Sequence, residues 1–243
     1  MSDYAGGYYD TLDATSIRSA RRVVPRVMDL VRPASVVDVG CGRGGWLRVF
    51  LDYGITEVLG VDGDWVDPAS LHIPRERFRH WDLRQPLEIS GAFDLAVSLE
   101  VAEHLPEAQA DGFVEALTRL APAVLFSAAI PHQGGVGHVN EQWPEYWAER
   151  FARRGFAAMD VLRREIWDDP DVAWWYAQNL LLFSRAAEAS GPVPRLVHPR
   201  HYLIKMEELR NRSEPERMSL RTLLAQAPQV LRHTLRRRLG REG

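Results

Sequence analysis

The segment that most constrains this chain is Val36-Val37-Asp38-Val39-Gly40-Cys41-Gly42-Arg43-Gly44-Gly45. An apolar run of strand length carries one acid, then breaks into four glycines before helical periodicity begins. Glycine lets a backbone turn tightly and lie within contact distance of a ligand, where a β-carbon would collide. At the carboxyl end of a parallel strand, such a loop is where open α/β sheets hold nucleotide-like ligands. The spacing admits two readings. Gly40-x-Gly42-x-x-Gly45, with Asp62 about twenty residues on, fits a dinucleotide fingerprint. The register Asp38-x-Gly40-x-Gly42-x-Gly44 places an acid two residues ahead of the first glycine instead.

The residues that follow separate the two. Glu57-Val58-Leu59-Gly60-Val61-Asp62-Gly63-Asp64 is a second short apolar strand ending in acids. Arg79-His80-Trp81-Asp82-Leu83 has the form of a third strand end. Phe93-Asp94-Leu95-Ala96-Val97-Ser98-Leu99-Glu100-Val101-Ala102-Glu103-His104-Leu105-Pro106 supplies a fourth. In this order the four resemble the motifs of class I S-adenosylmethionine-dependent methyltransferases of the small-molecule type. A dehydrogenase would need a second βαβ half and a substrate domain, and the sequence offers neither. The resemblance implies S-adenosylmethionine as cofactor. Asp38 and the loop of Gly40, Gly42 and Gly44 would hold its methionine end, Asp62 and Gly63 its ribose, and Asp82 and Leu83 its adenine. Leu99 would line the same cleft, and Tyr9 would contact the cofactor from an N-terminal lid.

Bulk properties narrow the class. Hydrophobic residues make up 46% and charged residues 26% of 243 residues, an ordinary balance for a chain that buries a core. A net charge of −3 argues against a whole-surface nucleic-acid binder. No apolar run is long enough to span a membrane, and Met1-Ser2-Asp3-Tyr4 lacks the regions of a signal peptide. Cys41 is the sole cysteine, so an internal disulfide is excluded and a cytoplasmic location is expected. Its position in the glycine loop fits a small side chain packed beside the cofactor.

Alternating strand and helix signals from Val36 to about Ala128 predict an α/β fold: a doubly wound, Rossmann-like, mostly parallel sheet. Three segments are expected: 1–33, an N-terminal helix over 14–31 with Pro25 as a candidate kink; 34–187, the methyltransferase core; and 188–243, a basic helical tail. Within the core, Gly112–Leu120 and Trp143–Arg154 read as helices and Val124–Ala128 as the fifth strand. Ala157–Arg163 and Gln178–Ser184 read as two apolar strands with no clear helix between them. Such a terminal antiparallel hairpin is what the methyltransferase fold places at the edge of its seven-stranded sheet. From Gly191 the tail holds twelve basic against five acidic residues, and 218–239 reads as a basic amphipathic helix interrupted at Pro228. Such a helix could dock a partner subunit, which leaves a homo-oligomer open.

Loops after parallel strands open on the cofactor side, so Ile130–Trp143, with His132, His138 and Glu141, reads as an acceptor loop. The segment between the last two strands brings Trp174, Trp175 and Tyr176. With Glu141 and Trp143 these form the expected substrate contacts, suited to a sugar-like acceptor. Glu100-x-x-Glu103-His104 with His138 offers two carboxylates and two imidazoles to a divalent ion such as Mg²⁺, Mn²⁺ or Fe²⁺. This pattern is similar to the metal sets of small-RNA 3′-terminal 2′-O-methyltransferases and ubiquinone-pathway O-methyltransferases. Without an ion, His104, His132 or His138 would serve as general base. From about residue 35 to 185 the chain also resembles bacterial methyltransferases of unassigned substrate carrying a Gly-His-Val-Asn-Glu-Gln-Trp-Pro loop (Gly137–Pro144) and a Trp-Trp-Tyr before the last strand. The expected activity is O-methylation of a small-molecule hydroxyl, on a sugar or natural product. N-methylation of an amino sugar, RNA 2′-O-methylation and a non-catalytic cofactor-binding subunit are the alternatives.

Overall fold

A computed structural model describes residues 3–89, 91–186, 191–214, 220, 224–225, 227–228 and 231–232, with side chains from residue 11 onward. The chain divides into two compact units, Met1–His198 and Pro199–Gly243.

The first unit is built on a sheet. Among the described residues, seven strands run in the order β3-β2-β1-β4-β5-β7-β6. They are β1 Ser35–Val39, β2 Glu57–Asp62, β3 Phe78–His80, β4 Leu95–Leu99, β5 Ala123–Ser127, β6 Ala157–Met159 and β7 Leu181–Ser184. The first five pair in parallel, and β7 runs antiparallel to both β5 and β6. The expected terminal hairpin is therefore present. β4 and β5 are buried along their whole length, as continuous apolar strands covered on both faces must be. Strand order reverses at β1, which lies between β2 and β4, so a crevice opens beyond its carboxyl end.

Helices cover both faces. One apolar cluster joins Val23, Val24 and Val27 of α1 (Asp3–Val31) to Trp46, Leu47 and Phe50 of α2 (Gly45–Asp52). The other joins Phe113 and Leu117 of α3 (Ala110–Leu120) to Trp147 and Phe151 of α4 (Pro144–Ala152), with Phe126 and Phe183 from the sheet. Phe151 stacks on Phe183 with ring centroids 3.9 Å apart.

Three sequence expectations change. α1 begins at Asp3 rather than residue 14 and continues through Pro25, which forgoes only the one backbone bond its missing N–H would make. The stretch joining β6 to β7 holds two short helices, α5 (Arg163–Ile166) and α6 (Trp174–Asn179), where a helix-free connection is expected from the sequence. The strand read over Ala157–Arg163 ends at Met159 because Arg163 turns inward. Its side chain is 1% exposed and donates to Asp160, to the Gln178 carbonyl and to the Pro194 carbonyl. The last of those bonds ties Pro194 to the first unit, and His198 N–H on the Gln178 side chain extends the tie to that unit's last residue. In the second unit, α7 (Pro199–Ser213) is a helix. Most of the amphipathic helix read over 218–239 lies outside the described residues.

Phe151→Ala should cost about 3–5 kcal/mol in chemical denaturation, because it empties a fully buried stacked position.

Candidate active site

The glycine loop adopts the conformations its sequence implies. Gly40, Gly42 and Gly44 have φ of 85°, 54° and 81°. A β-carbon on Gly40 would also lie 2.3 Å from a Val101 methyl, whereas one on Gly42 would project into open space. That opening is the cradle a ligand would fill. Asp62 holds it in shape: its carboxylate accepts from Gly42 N–H at 2.6 Å and from Gly63 N–H at 2.7 Å. Burial lifts its pKa to about 6 against the opposing pull of those two N–H groups and of His80. Asp38 is 2% exposed and is pushed well above the ordinary carboxylate range, by burial first and by Asp62 second. Two buried acids beside an open glycine cradle fit a ligand that brings an ammonium and hydroxyl donors. Burial also raises the Cys41 thiol well above its usual range, which leaves it a packing group rather than a nucleophile.

The remaining expected cofactor contacts divide. Leu99 ends β4 at the crevice, 9% exposed. Leu83 packs against the second apolar cluster. Asp82 is taken up by Arg84 in an exposed ion pair. The Tyr9 side chain lies outside the described residues. Trp65, not singled out from the sequence, is 68% exposed and lies against Gly63.

Beyond β4, the four expected metal ligands separate. Glu103, His104 and His138 form one group whose potential ligand atoms all lie within 4.8 Å of one another. The two imidazoles meet edge to face, centroids 4.8 Å apart. Glu100 lies outside this group: it sits at φ 56° and accepts from Gln133 at 2.8 Å and Asn179 at 3.0 Å. Gln133 accepts in turn from Asn179 and Gln178, and Gln178 accepts from the backbone N–H of His198. Amides have no motif of their own, which is why sequence reasoning does not assemble this buried chain.

Glu103 is the outlier in the site. It is fully buried, and neither carboxylate oxygen has a hydrogen-bond partner. Burial, then the charge of Glu100, raises its pKa well above the usual range; nearby N–H groups of Glu103 and Ala129 oppose this only in part. Its carbonyl accepts from Val139 and Asn140, which fastens the acceptor loop over the turn after β4. His104 is lowered by burial and by His138, so it is neutral at pH 7.

The remaining expected side chains are distributed as follows. His132 lies outside the three-residue group, at φ 69°. Glu141 is bound within the loop, accepting from the N–H groups of His132 and Gly134 and pairing with His138. Trp143 lies under the Arg195 guanidinium. Tyr176 is a core residue, 6% exposed, its hydroxyl bonded to Ser16 and Trp46, so it does not face an acceptor. Trp175 packs against the first apolar cluster and Trp174 against Trp175. Asp169, in the same segment, pairs with Arg22.

A family profile described as a methyltransferase domain matches residues 12–163, well over half the chain. The chain belongs to that family, the class I S-adenosylmethionine-dependent methyltransferases. It is 33% identical over 136 residues to a protein of Oryza sativa subsp. japonica named "Probable tocopherol O-methyltransferase, chloroplastic", which covers 47% of this chain and 37% of that one. The chain thus spans well under two thirds of that relative. Among solved structures, SAM-bound CalS10, an amino pentose methyltransferase from Micromonospora echinaspora, aligns with a TM-score of 0.55 at 17% identity, over 76% of this chain and 98% of that one. The methyltransferase domain of bacterial CtHen1-C aligns with a TM-score of 0.51 at 18% identity, over 70% and 98%. These two likenesses speak to the fold.

Asp62 gives the cofactor-free protein a pH signature. Its folded pKa, about 6, lies above the ordinary range of an aspartate, so the ionised form costs stability above pH 6 and that cost is relieved as pH falls towards 4. The full relief is on the order of 3 kcal/mol. Denaturation between about pH 7 and pH 5 should show a stability gain in the wild type that is smaller in Asp62→Asn.

Proposed function

We propose that the chain transfers the methyl group of S-adenosylmethionine to a hydroxyl of a small acceptor carrying neighbouring hydroxyls, a sugar or natural product, with a divalent ion held by Glu103, His104 and His138. The observation that carries this reading is Glu103. A carboxylate buried without a hydrogen bond is expensive unless a cation or donor arrives to meet it. Two imidazoles beside it supply nitrogen donors, a set that suits Mn²⁺ or Fe²⁺ better than Mg²⁺.

The cofactor supplies an electrophilic methyl group. The protein's part is to hold and orient: Asp38 and Asp62 at the glycine cradle anchor the cofactor, and the loop over Glu103 encloses the acceptor. A bound ion would supply Lewis acidity, lowering the pKa of an acceptor hydroxyl. In its absence His104 or His138 would take the hydroxyl proton. Trp143, at the mouth of the same loop, and Trp174 remain as aromatic surfaces for the acceptor.

A second reading, N-methylation of an amino sugar, draws on the same buried carboxylate, which could face an ammonium, and on the amino pentose enzyme among the structural neighbours. RNA 2′-O-methylation is opposed by the net negative charge. Among the described residues no helix is long and apolar enough to cross a membrane. A cytoplasmic location and a homo-oligomer built through the basic tail belong to this proposal.

Calorimetric titration of Mn²⁺ into protein saturated with S-adenosylhomocysteine should show stoichiometric binding, weakened at least about 100-fold in Glu103→Gln while the variant's cofactor-free stability is undiminished. Binding that survives the substitution contradicts the metal assignment. Turnover of amines in preference to vicinal diols would move the acceptor to the second reading.

A further inference from the structure

Glu141 stands out because its carboxylate serves the loop from inside. The loop is pinned at its ends by Gln133 N–H on the Ile130 carbonyl and Gln142 N–H on the Ala129 carbonyl. It is pinned in the middle by Val139 and Asn140 on the carbonyl of Glu103. Within this frame one Glu141 oxygen accepts from His132 N–H at 2.7 Å, and the other accepts from Gly134 N–H at 2.6 Å and meets His138 Nδ1 at 2.9 Å. Both oxygens already accept backbone N–H bonds, so this carboxylate meets the ring nitrogen as an acceptor.

We infer that Glu141 is the positioning residue of His138: it keeps the imidazole proton on Nδ1 and so leaves the lone pair of Nε2 for a metal ion or for an acceptor proton. Which imidazole nitrogen carries the proton is set by the partner of the other nitrogen. Gly135 completes the device. Its φ lies outside the left-handed region, so no backbone requirement explains the glycine, yet a β-carbon there would lie 2.2 Å from His138 Nε2. The absent side chain is what lets the ring lie where Glu141 aims it. His104, whose ring meets that of His138 edge to face, bounds the other side.

The ligand role of Nε2 rests on the metal reading above; the tautomer does not. The first test is therefore ¹⁵N–¹H spectroscopy of the imidazoles in the full-length, metal-free protein at alkaline pH, with His138→Asn identifying the His138 signals. The wild type should show His138 protonated at Nδ1. Glu141→Gln has one acceptor oxygen for two loop N–H groups, so it gives up one loop bond and some melting temperature; with that oxygen on His132 N–H it turns an amide N–H to the ring and should move the proton to Nε2. A wild-type ring protonated at Nε2, or a tautomer unchanged in Glu141→Gln, overturns the assignment. Mn²⁺ titration then separates the two claims. Wild-type binding that weakens about 10–100-fold in Glu141→Gln, and comparably in Gly135→Ala, supports the ligand role. Wild-type binding that neither substitution changes removes that role. A wild type that binds no Mn²⁺ while the tautomer still shifts overturns the metal reading and leaves Glu141 positioning His138 as a base.

Discussion

Two hydrogen bonds from backbone N–H groups to the carboxylate of Asp62 fix the position of the glycine loop over the sheet. The loop leaves β1 at Gly40, whose N–H bonds the carbonyl of Val61, so the end of β2 grips it through both main chain and side chain. Gly44 then hands the chain directly to α2. That geometry keeps Asp38 and Asp62 buried and close, two acids raised by desolvation, with two N–H groups and His80 opposing the rise at Asp62. Such an arrangement is poor for the stability of the empty protein and good for a ligand that carries the missing donors.

The same logic recurs one strand over. β4 ends in Leu99, Glu100 adopts a left-handed backbone, and a single 3₁₀ turn carries Glu103 inward. The two glutamates then meet different fates. Glu100 is absorbed by side-chain amides on the acceptor loop and α6, whereas Glu103 lends its carbonyl to the loop and keeps its carboxylate bare. The loop is thus one piece of machinery. Its backbone closes on Glu103, and Glu141 collects its N–H groups and aims His138. Together they bring an imidazole from residue 138 to a carboxylate from residue 103.

How much of this was legible in the sequence follows from what carries each feature. The parallel core and its glycine loop could be read because strand-acid-glycine order is local, and each glycine reports a backbone conformation no other residue adopts freely. The convergence of Glu103, His104 and His138 could be read because spacing along one turn and a known loop position confine it. The diversion of Glu100 could not, since Gln133 and Asn179 lie far off in sequence and amides leave no periodic trace. The same holds for Tyr176. Beside two tryptophans it looks like part of an aromatic pocket, but Ser16 and Trp46, more than a hundred residues earlier, claim its hydroxyl. Glu141 was singled out for the right loop and the wrong partner. An acid near glycines suggests a ligand contact, and only three-dimensional placement shows its carboxylate surrounded by donors of its own loop.

The central claim is that Glu103 is bare because a cation completes it. Crystals grown with S-adenosylhomocysteine and Mn²⁺, measured at the manganese absorption edge, address that claim most directly. The account predicts one anomalous peak within coordination distance of a Glu103 oxygen and of one nitrogen each from His104 and His138, with His138 bound through Nε2. A structure with no peak there, and with Glu103 hydrogen-bonded to protein or cofactor instead, would contradict it.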